Sequence, residues 1–236
     1  MASLKSIFGQ TIGSLVCTPG TVVAVDAVGS RFKQLVVKTD VAAGRYAPGD
    51  KVQILFENGD FRTYTPFAVD VAAGTVSFLV FVHGDAPGSA FGRSVVVGDA
   101  IQFFGPRGSL PLSSVVVPSV LFGDETGFAV ARALFDHRKA QADARFVFEV
   151  DDVAESTAVL ERLGIAGVST LIEKQAGDAH LQGVVSAIGE ATAARIVLTG
   201  RAQSLQLLKA LLKTSSSSSL TQTTRAYWSV GKRGLD

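Results

Sequence analysis

The feature that most constrains this chain is a change of period near its middle. In the first half, apolar residues come in short runs rich in Val, Ile, Phe and Thr, at 21–25, 34–39, 51–56, 61–67, 75–81 and 100–104. Turn signals part them: Ala43-Gly44, Pro48-Gly49-Asp50, Asn58-Gly59-Asp60, Ala73-Gly74 and Gly98-Asp99. Six such runs with no helical period between them predict a six-stranded antiparallel β-barrel of Greek-key type. From residue 115 the rhythm differs. An apolar run at 115–122, broken at Pro118-Ser119, is followed by apolar residues at helical spacing over 128–138. The alternation recurs at 146–150 and 154–163, at 169–173 and 181–188, and at 195–198 and 202–212. Strand followed by helix, repeated, predicts a C-terminal α/β domain with a doubly wound parallel sheet. The expected domains are therefore 1–112 and 113–236, with a boundary within 111–118. The serine run at 215–219 is expected to be a flexible loop before a last strand around 225–230.

Composition narrows the class. A chain of 236 residues buries roughly 70–75% of its unfolded surface, enough for two cores. With 47% apolar and 18% charged residues, it is a packed protein rather than a disordered one. A net charge of +1 argues against wholesale nucleic-acid binding, although residues 201–236 carry six bases and one acid. A single cysteine, Cys17, excludes an internal disulfide and a thiolate metal cluster, and fits a reducing compartment or indifference to one. The apolar stretch after Lys5 is interrupted by Gly9, Gln10 and Gly13, and Val16 stands directly before Cys17, so neither a secretory leader nor a lipoprotein signal is read there. No later run reaches the length of a membrane span. The expectation is a cytoplasmic protein with no membrane insertion.

Within the fourth strand, Phe61-Arg62-Thr63-Tyr64-Thr65-Pro66 alternates a cation, a hydroxyl and a ring. Arg62 and Tyr64 fall on one face, Thr63 and Thr65 on the other. A phenol ring beside a guanidinium suits a flat, anionic ligand such as a flavin dinucleotide, whose ring system needs an aromatic wall and whose pyrophosphate needs a fixed cation. The glycine-rich stretch His83-Gly84-Asp85-Ala86-Pro87-Gly88-Ser89-Ala90-Phe91 is expected to be a loop that wraps a phosphate with backbone N–H groups, the Ser89 hydroxyl adding a donor. Gly105-Pro106-Arg107-Gly108-Ser109 is expected to close the barrel against the ligand. In the second half, Gly123-Asp124-Glu125-Thr126-Gly127 lies where the first strand passes into the first helix. Ligands of open parallel sheets bind at such strand ends. Asp124 as a plain N-cap and Glu125 as a first-turn acid remain open readings. Neither a Gly-x-Gly-x-x-Gly nor a Gly-x-x-x-x-Gly-Lys-Thr pattern is present here.

Taken in order, Arg-x-Tyr-Thr, His-Gly-Asp, the Gly98-Asp99 turn, Gly-Pro-x-Gly-Ser, Gly-Asp-Glu-Thr and a C-terminal Tyr-Trp-x-x-Gly resemble the siderophore-interacting proteins, which are flavin-dependent ferric-siderophore reductases of ferredoxin-reductase-like architecture. The resemblance runs from about Thr18 to the end of the chain, and the ordered set carries it rather than any single motif. It implies FAD held by Arg62, Thr63, Tyr64 and Thr65, with Val82, His83, Gly88, Ser89, Ala90 and Phe91 around the flavin and pyrophosphate. It implies NADPH or NADH facing Gly123, Asp124, Glu125, Thr126, Gly200, Arg201, Tyr227 and Trp228, the last two beside the flavin and the iron chelate. Arg225, Lys232 and Arg233 would meet the ferric siderophore. Three positions depart from the family. No second Arg follows the Tyr-Thr pair, where Pro66-Phe67-Ala68 stands. Phe91 takes the place of a Trp. Thr199-Gly200-Arg201 replaces an Ala-Gly-Glu turn, a base for an acid, which favours an NADP phosphate or alters the nucleotide preference.

A flavin carries the redox chemistry itself, so no catalytic side chain and no metal ligand is expected. Two other classes fit the same residues: a flavin-binding electron-transfer module fed by a protein donor such as a ferredoxin, and a non-catalytic binder of the chelate.

Overall fold

The computed structural model describes residues 17–40, 46–56, 58–115, 117–137, 144–215 and 219–232. The readings made at 5–16, at Ala43-Gly44, at 216–218 and at Arg233 lie outside the described residues. The chain divides into two compact units, Met1–Pro111 and Leu112–Asp236.

The first unit is an antiparallel sheet of seven strands: β1 (Thr18–Val28), β2 (Phe32–Lys38), β3 (Lys51–Leu55), β4 (Phe61–Tyr64), β5 (Ala68–Asp70), β6 (Thr75–Phe81) and β7 (Ala100–Arg107). Their order is β4-β3-β7-β1-β2-β6-β5. The edge strands β4 and β5 are consecutive in the chain, joined by Thr65-Pro66-Phe67. Laid flat, seven strands place their edges roughly 29 Å apart, whereas that connection reaches about 14 Å at most. The sheet must therefore roll up, and it closes over Val22, Leu35, Val52, Ile54, Phe78 and Phe103, all essentially buried. The six expected strands are present. The seventh, β5, arises because the 61–67 run breaks at Pro66, which has no N–H for a ladder, and the chain re-pairs with Ala68 opposite Ser77.

Two expectations in this unit are corrected. The stretch read as a phosphate-wrapping loop contains a helix, α1 (Pro87–Ser94). Pro87 sits at its first positions, where a missing N–H costs nothing, but Gly88, Ser89 and Gly92 are poor helix formers and mask the pattern. Tertiary packing decides: a Cβ at Gly92 would lie 2.7 Å from Val82 Cγ2 and 2.8 Å from Val80 Cγ1, so only glycine lets α1 press onto β6. Gly105-Pro106-Arg107 is not a closing turn but the end of β7, with Arg107 opposite Lys51 and its guanidinium 4.6 Å from the Phe104 ring centroid.

The second unit is a parallel sheet of five strands, β8 (Ser119–Gly123), β9 (Ala144–Val150), β10 (Ser169–Glu173), β11 (Arg195–Arg201) and β12 (Thr221–Trp228), in the order β10-β9-β8-β11-β12. The helices α2 (Phe128–His137), α3 (Val153–Arg162), α4 (Leu181–Glu190) and α5 (Ala202–Lys213) alternate with them. Val120, Phe122, Ile196 and Leu198 pack against Leu181, Val184, Leu205 and Leu208, so α4 and α5 cover one face. On the other, Phe128 of α2 meets Phe148 edge-on at 4.8 Å. The chain runs from β8 outward to β10, then returns to β11 and out to β12, so strand order reverses between β8 and β11. No helix among the described residues is long and apolar enough to cross a membrane.

Candidate functional site

In the first unit the register of β4 decides which side chains meet. Tyr64 stands opposite Val52 and Arg62 opposite Ile54, while Thr63 faces Gln53. Directly opposed residues share a face, so Arg62 and Tyr64 lie on the side of two fully buried residues and Thr63 is exposed. Tyr64 packs against that core. Burial raises its phenol pKa, and the Arg62 charge opposes the shift, so the ring stays neutral. Thr65, 8% exposed, follows on the turn.

The start of α1 comes down on this pair. A Cβ at Gly88 would lie 3.1 Å from Tyr64 Oη and 3.7 Å from Arg62 Cγ, so the α1 backbone, the phenol oxygen and the Arg62 stem meet at a point a larger residue would fill. The helix start is uncapped: Ala86 offers no side-chain cap and the first turn holds no acid. Gly88, at the second helical position, has no carbonyl four residues back within the helix to receive its N–H. Arg62 Nη1 donates to Phe61 O at 2.7 Å, and Nη2 reaches Asp60 Oδ2 at a long 3.5 Å, which, among the described residues, leaves donors of its five-proton fork unspent. A helix N-terminus, a fixed guanidinium and a ring are the donor set a dinucleotide pyrophosphate takes. These residues fit FAD.

The remaining residues expected here divide. Ser89 is buried, and its hydroxyl accepts the His83 N–H at 2.9 Å and donates to the His83 carbonyl at 2.5 Å. It fixes the entry to α1 and is not the phosphate donor expected of it. Phe91 packs on Phe56, with centroids 5.1 Å apart, which seats the helix on the core rather than presenting a free wall. Val82 is half-buried and donates its N–H to Arg31 O at 2.7 Å. His83 is exposed and stacks on Phe81 at 5.0 Å, which stacks on Phe32 at 4.7 Å. Ala90 is exposed, its N–H bonded to Ala86 O at 3.0 Å.

In the second unit, sequence positions far apart converge where β8, β11 and β12 end. Asp124, 1% exposed, caps the turn at Glu125–Gly127 by accepting the Thr126 N–H at 2.9 Å and the Thr126 hydroxyl. Its other oxygen accepts the Trp228 indole N–H at 2.6 Å. The register of β12 slips at Gly200/Arg201, where Ala226 pairs with Gly200 but Trp228 with Arg201. This bulge around Tyr227 turns Trp228 inward. Gly200, at φ +99°, is required, since a Cβ there would fall 2.8 Å from Asp124 Oδ2. Gly123 likewise makes room for the Thr199 hydroxyl, 2.6 Å from where its Cβ would be, and that hydroxyl donates to Phe122 O at 3.0 Å. Gly123, Asp124, Thr126, Gly200 and Trp228 are thus one cluster, with half-buried Tyr227 and Arg225 on the same strand and Lys232 exposed beyond it.

Glu125 is engaged by the protein itself. It is 2% exposed, and its oxygens accept the Asp151 N–H at 2.6 Å and the Lys174 ammonium at 2.7 Å. Burial raises its pKa, Lys174 opposing. For Lys174 burial pulls the other way, but Glu125 and Asp151 outweigh it and raise the ammonium pKa. Arg201 is engaged as well: Nε donates to Ser204 Oγ at 2.8 Å and Nη2 to Asp178 in a close ion pair. The sequence reading passed over Lys174 and Asp178, and also the buried pair His180 and Glu149, 2.7 Å apart. All four stand on β9 or just past β10, so the same strand-end rule that drew notice to residues 123–127 points to them.

Residues 57–110 match the model of the siderophore-interacting FAD-binding domain. No curated protein matches the chain. Among solved structures, the chain is similar to a siderophore utilization protein from T. fusca at TM-score 0.71 and 22% identity, over 93% of this chain and 95% of that one. It is similar to the siderophore-interacting protein SipS from Aeromonas hydrophila at 0.70 and 16%, over 92% and 93%. Phthalate dioxygenase reductase, a modular structure for electron transfer from pyridine nucleotides to a 2Fe–2S centre, matches at 0.71 and 15%, over 92% of this chain and 69% of that one. The fold is ferredoxin-reductase-like, and the resemblance to siderophore-interacting proteins read from the motifs extends to the family model and to these structures.

Proposed function

We propose that the protein is a flavin-dependent reductase of ferric siderophores, holding FAD on the first unit and taking electrons from NADH or NADPH on the second. The observation that carries this reading is the meeting of Arg62, Tyr64 and the bare start of α1 around Gly88, inside the segment that matches an FAD-binding domain. Arg62 supplies fixed charge for the pyrophosphate, the Gly88 N–H adds a donor along the helix axis, and Tyr64 supplies an apolar wall. Ser89 holds His83 and the helix entry in place. When bound, the flavin supplies the redox chemistry, accepting a hydride with its two electrons from one nicotinamide and giving them singly to two ferric chelates. Asp124, through Thr126 and Trp228, shapes the strand-end crevice that receives the nicotinamide nucleotide. Arg225, Lys232 and Arg233 attract an anionic ferric chelate, and iron(II), poorly held by the chelator, then leaves.

The purified protein is expected to be yellow, to bleach with NADH or NADPH under nitrogen, and to recolour on addition of a ferric siderophore while an iron(II) trap turns coloured. A yellow protein that only a reduced ferredoxin bleaches would move the donor to a protein. A colourless protein that takes up no FAD would leave a chelate binder. Lys232→Ala with Arg233→Ala is expected to slow ferric-chelate reduction and leave FAD binding unchanged; unaltered kinetics would remove the docking role.

A further inference from the structure

Arg201 is the cation that a nucleotide phosphate at the β11 strand end would seek, and it is already neutralised. Its guanidinium pairs with Asp178, both side chains about four-fifths buried, and Nε is fixed on Ser204. Asp178 belongs to the turn before α4, and Arg201 immediately precedes α5. These helices pack side by side, so the ion pair bridges two helix starts next to the point where strand order reverses. Ligands of such sheets lie there.

The pair is also held rigidly. Asp178 has φ +60° and follows Gly177 at φ +65°, a left-handed conformation rare for a residue other than glycine. The chain on either side is fastened: Lys174 to Glu125 and Asp151, and His180 to Glu149 through Nε2, while His180 Nδ1 accepts the Gln175 N–H at 3.1 Å. A segment fastened at both ends sets the Asp178 carboxylate on Arg201, where a second anion would have to displace it.

Resting on the reading that this unit takes a nicotinamide nucleotide, we infer that the Asp178–Arg201 pair selects the electron donor, accepting NADH and disfavouring NADPH. A 2′-phosphate brings a charge near −2 to a cation already paired and beside a fixed carboxylate. The bare 2′-hydroxyl of NADH can instead donate to Asp178. The resemblance suggested an NADP phosphate or an altered nucleotide preference, since a base stands where the resembled family has an acid. Asp178 restores the acid from another strand end.

The flavin-loaded protein is mixed anaerobically with NADH or NADPH, and the second-order rate of bleaching is taken for each. The native protein should prefer NADH by at least about tenfold, the size an uncompensated charge near a partly buried site commands. Asp178→Asn, which keeps a side chain tolerant of the left-handed turn, should cut that preference at least about tenfold by accelerating NADPH. Arg201→Ala, which leaves the acid unpaired, should raise it. A native preference for NADPH, or a ratio that Asp178→Asn leaves unchanged, overturns the inference. Calorimetric titration with 5′-AMP and 2′,5′-ADP reads the same selection without the flavin. If neither nicotinamide bleaches the protein but 5′-AMP binds the native form more tightly than 2′,5′-ADP and Asp178→Asn reverses this, the donor assignment fails and the selector stands. If neither nucleotide binds, the selector fails too.

Discussion

The two units treat their polar groups in opposite ways. Around Gly88 in the first unit, donors are left open: among the described residues the carboxylate paired with Arg62 stands at a long 3.5 Å, and α1 begins without a side-chain cap or an acid in its first turn. At the strand ends of the second unit, donors are spent on the protein itself. Asp124 holds Thr126 and Trp228, Glu125 holds Lys174 and the Asp151 amide, and Arg201 holds Asp178 and Ser204. A site with unspent donors gains the full strength of charge-assisted bonds when an anion arrives. A site whose charges are already paired must trade one partner for another, and gains little. That is the difference expected between a resident cofactor and a substrate that comes and goes.

Breaking a spent group should damage stability before affinity. Lys174→Met leaves the Glu125 carboxyl buried without its cation, and a loss of about 3–5 kcal/mol is expected, read as a lowered unfolding midpoint with FAD affinity unchanged. Breaking an open group should do the reverse. Arg62→Ala is expected to weaken FAD binding by about 2–3 kcal/mol, the worth of hydrogen bonds to a charged group, with the unfolding midpoint nearly constant; a fall in both would mean that Arg62 is structural. Gly92→Ala tests how α1 is placed. Its methyl must displace Val80 or Val82, at about 1–3 kcal/mol, and lifting the helix should weaken FAD without touching the second unit.

The smallest expected effect is a pH dependence. Lys174 holds its proton more tightly folded than unfolded, so its share of stability is complete below the ordinary lysine value and is lost as pH rises through the raised one. Denaturant titrations between about pH 10 and 12 should show the native protein losing stability faster than Lys174→Met. Parallel curves would contradict the account of that pair.

The fold was largely legible because its signals are local. Asn58-Gly59 marks the β3–β4 hairpin, and strand followed by helix marks the second sheet. Helix α1 was hidden because Gly88 and Gly92 serve packing and the approach of Tyr64, against helix propensity. Arg62 and Tyr64 could be paired from strand alternation alone. Asp124 with Trp228, 104 residues apart, came together in the sequence only through the resemblance. The partners of Glu125 and Arg201, Lys174 and Asp178, stand just past another strand, where the strand-end rule marks positions without saying which side chains pair.

The central claim is that Arg62, Tyr64 and the start of α1 hold FAD. It is tested most directly by titrating FAD into the apoprotein and into Arg62→Ala/Tyr64→Ala, following flavin fluorescence, with the fold checked by circular dichroism. A dissociation constant weakened by at least about a hundredfold, roughly 2.7 kcal/mol, in a protein that stays folded is the predicted result. An unchanged constant would contradict it.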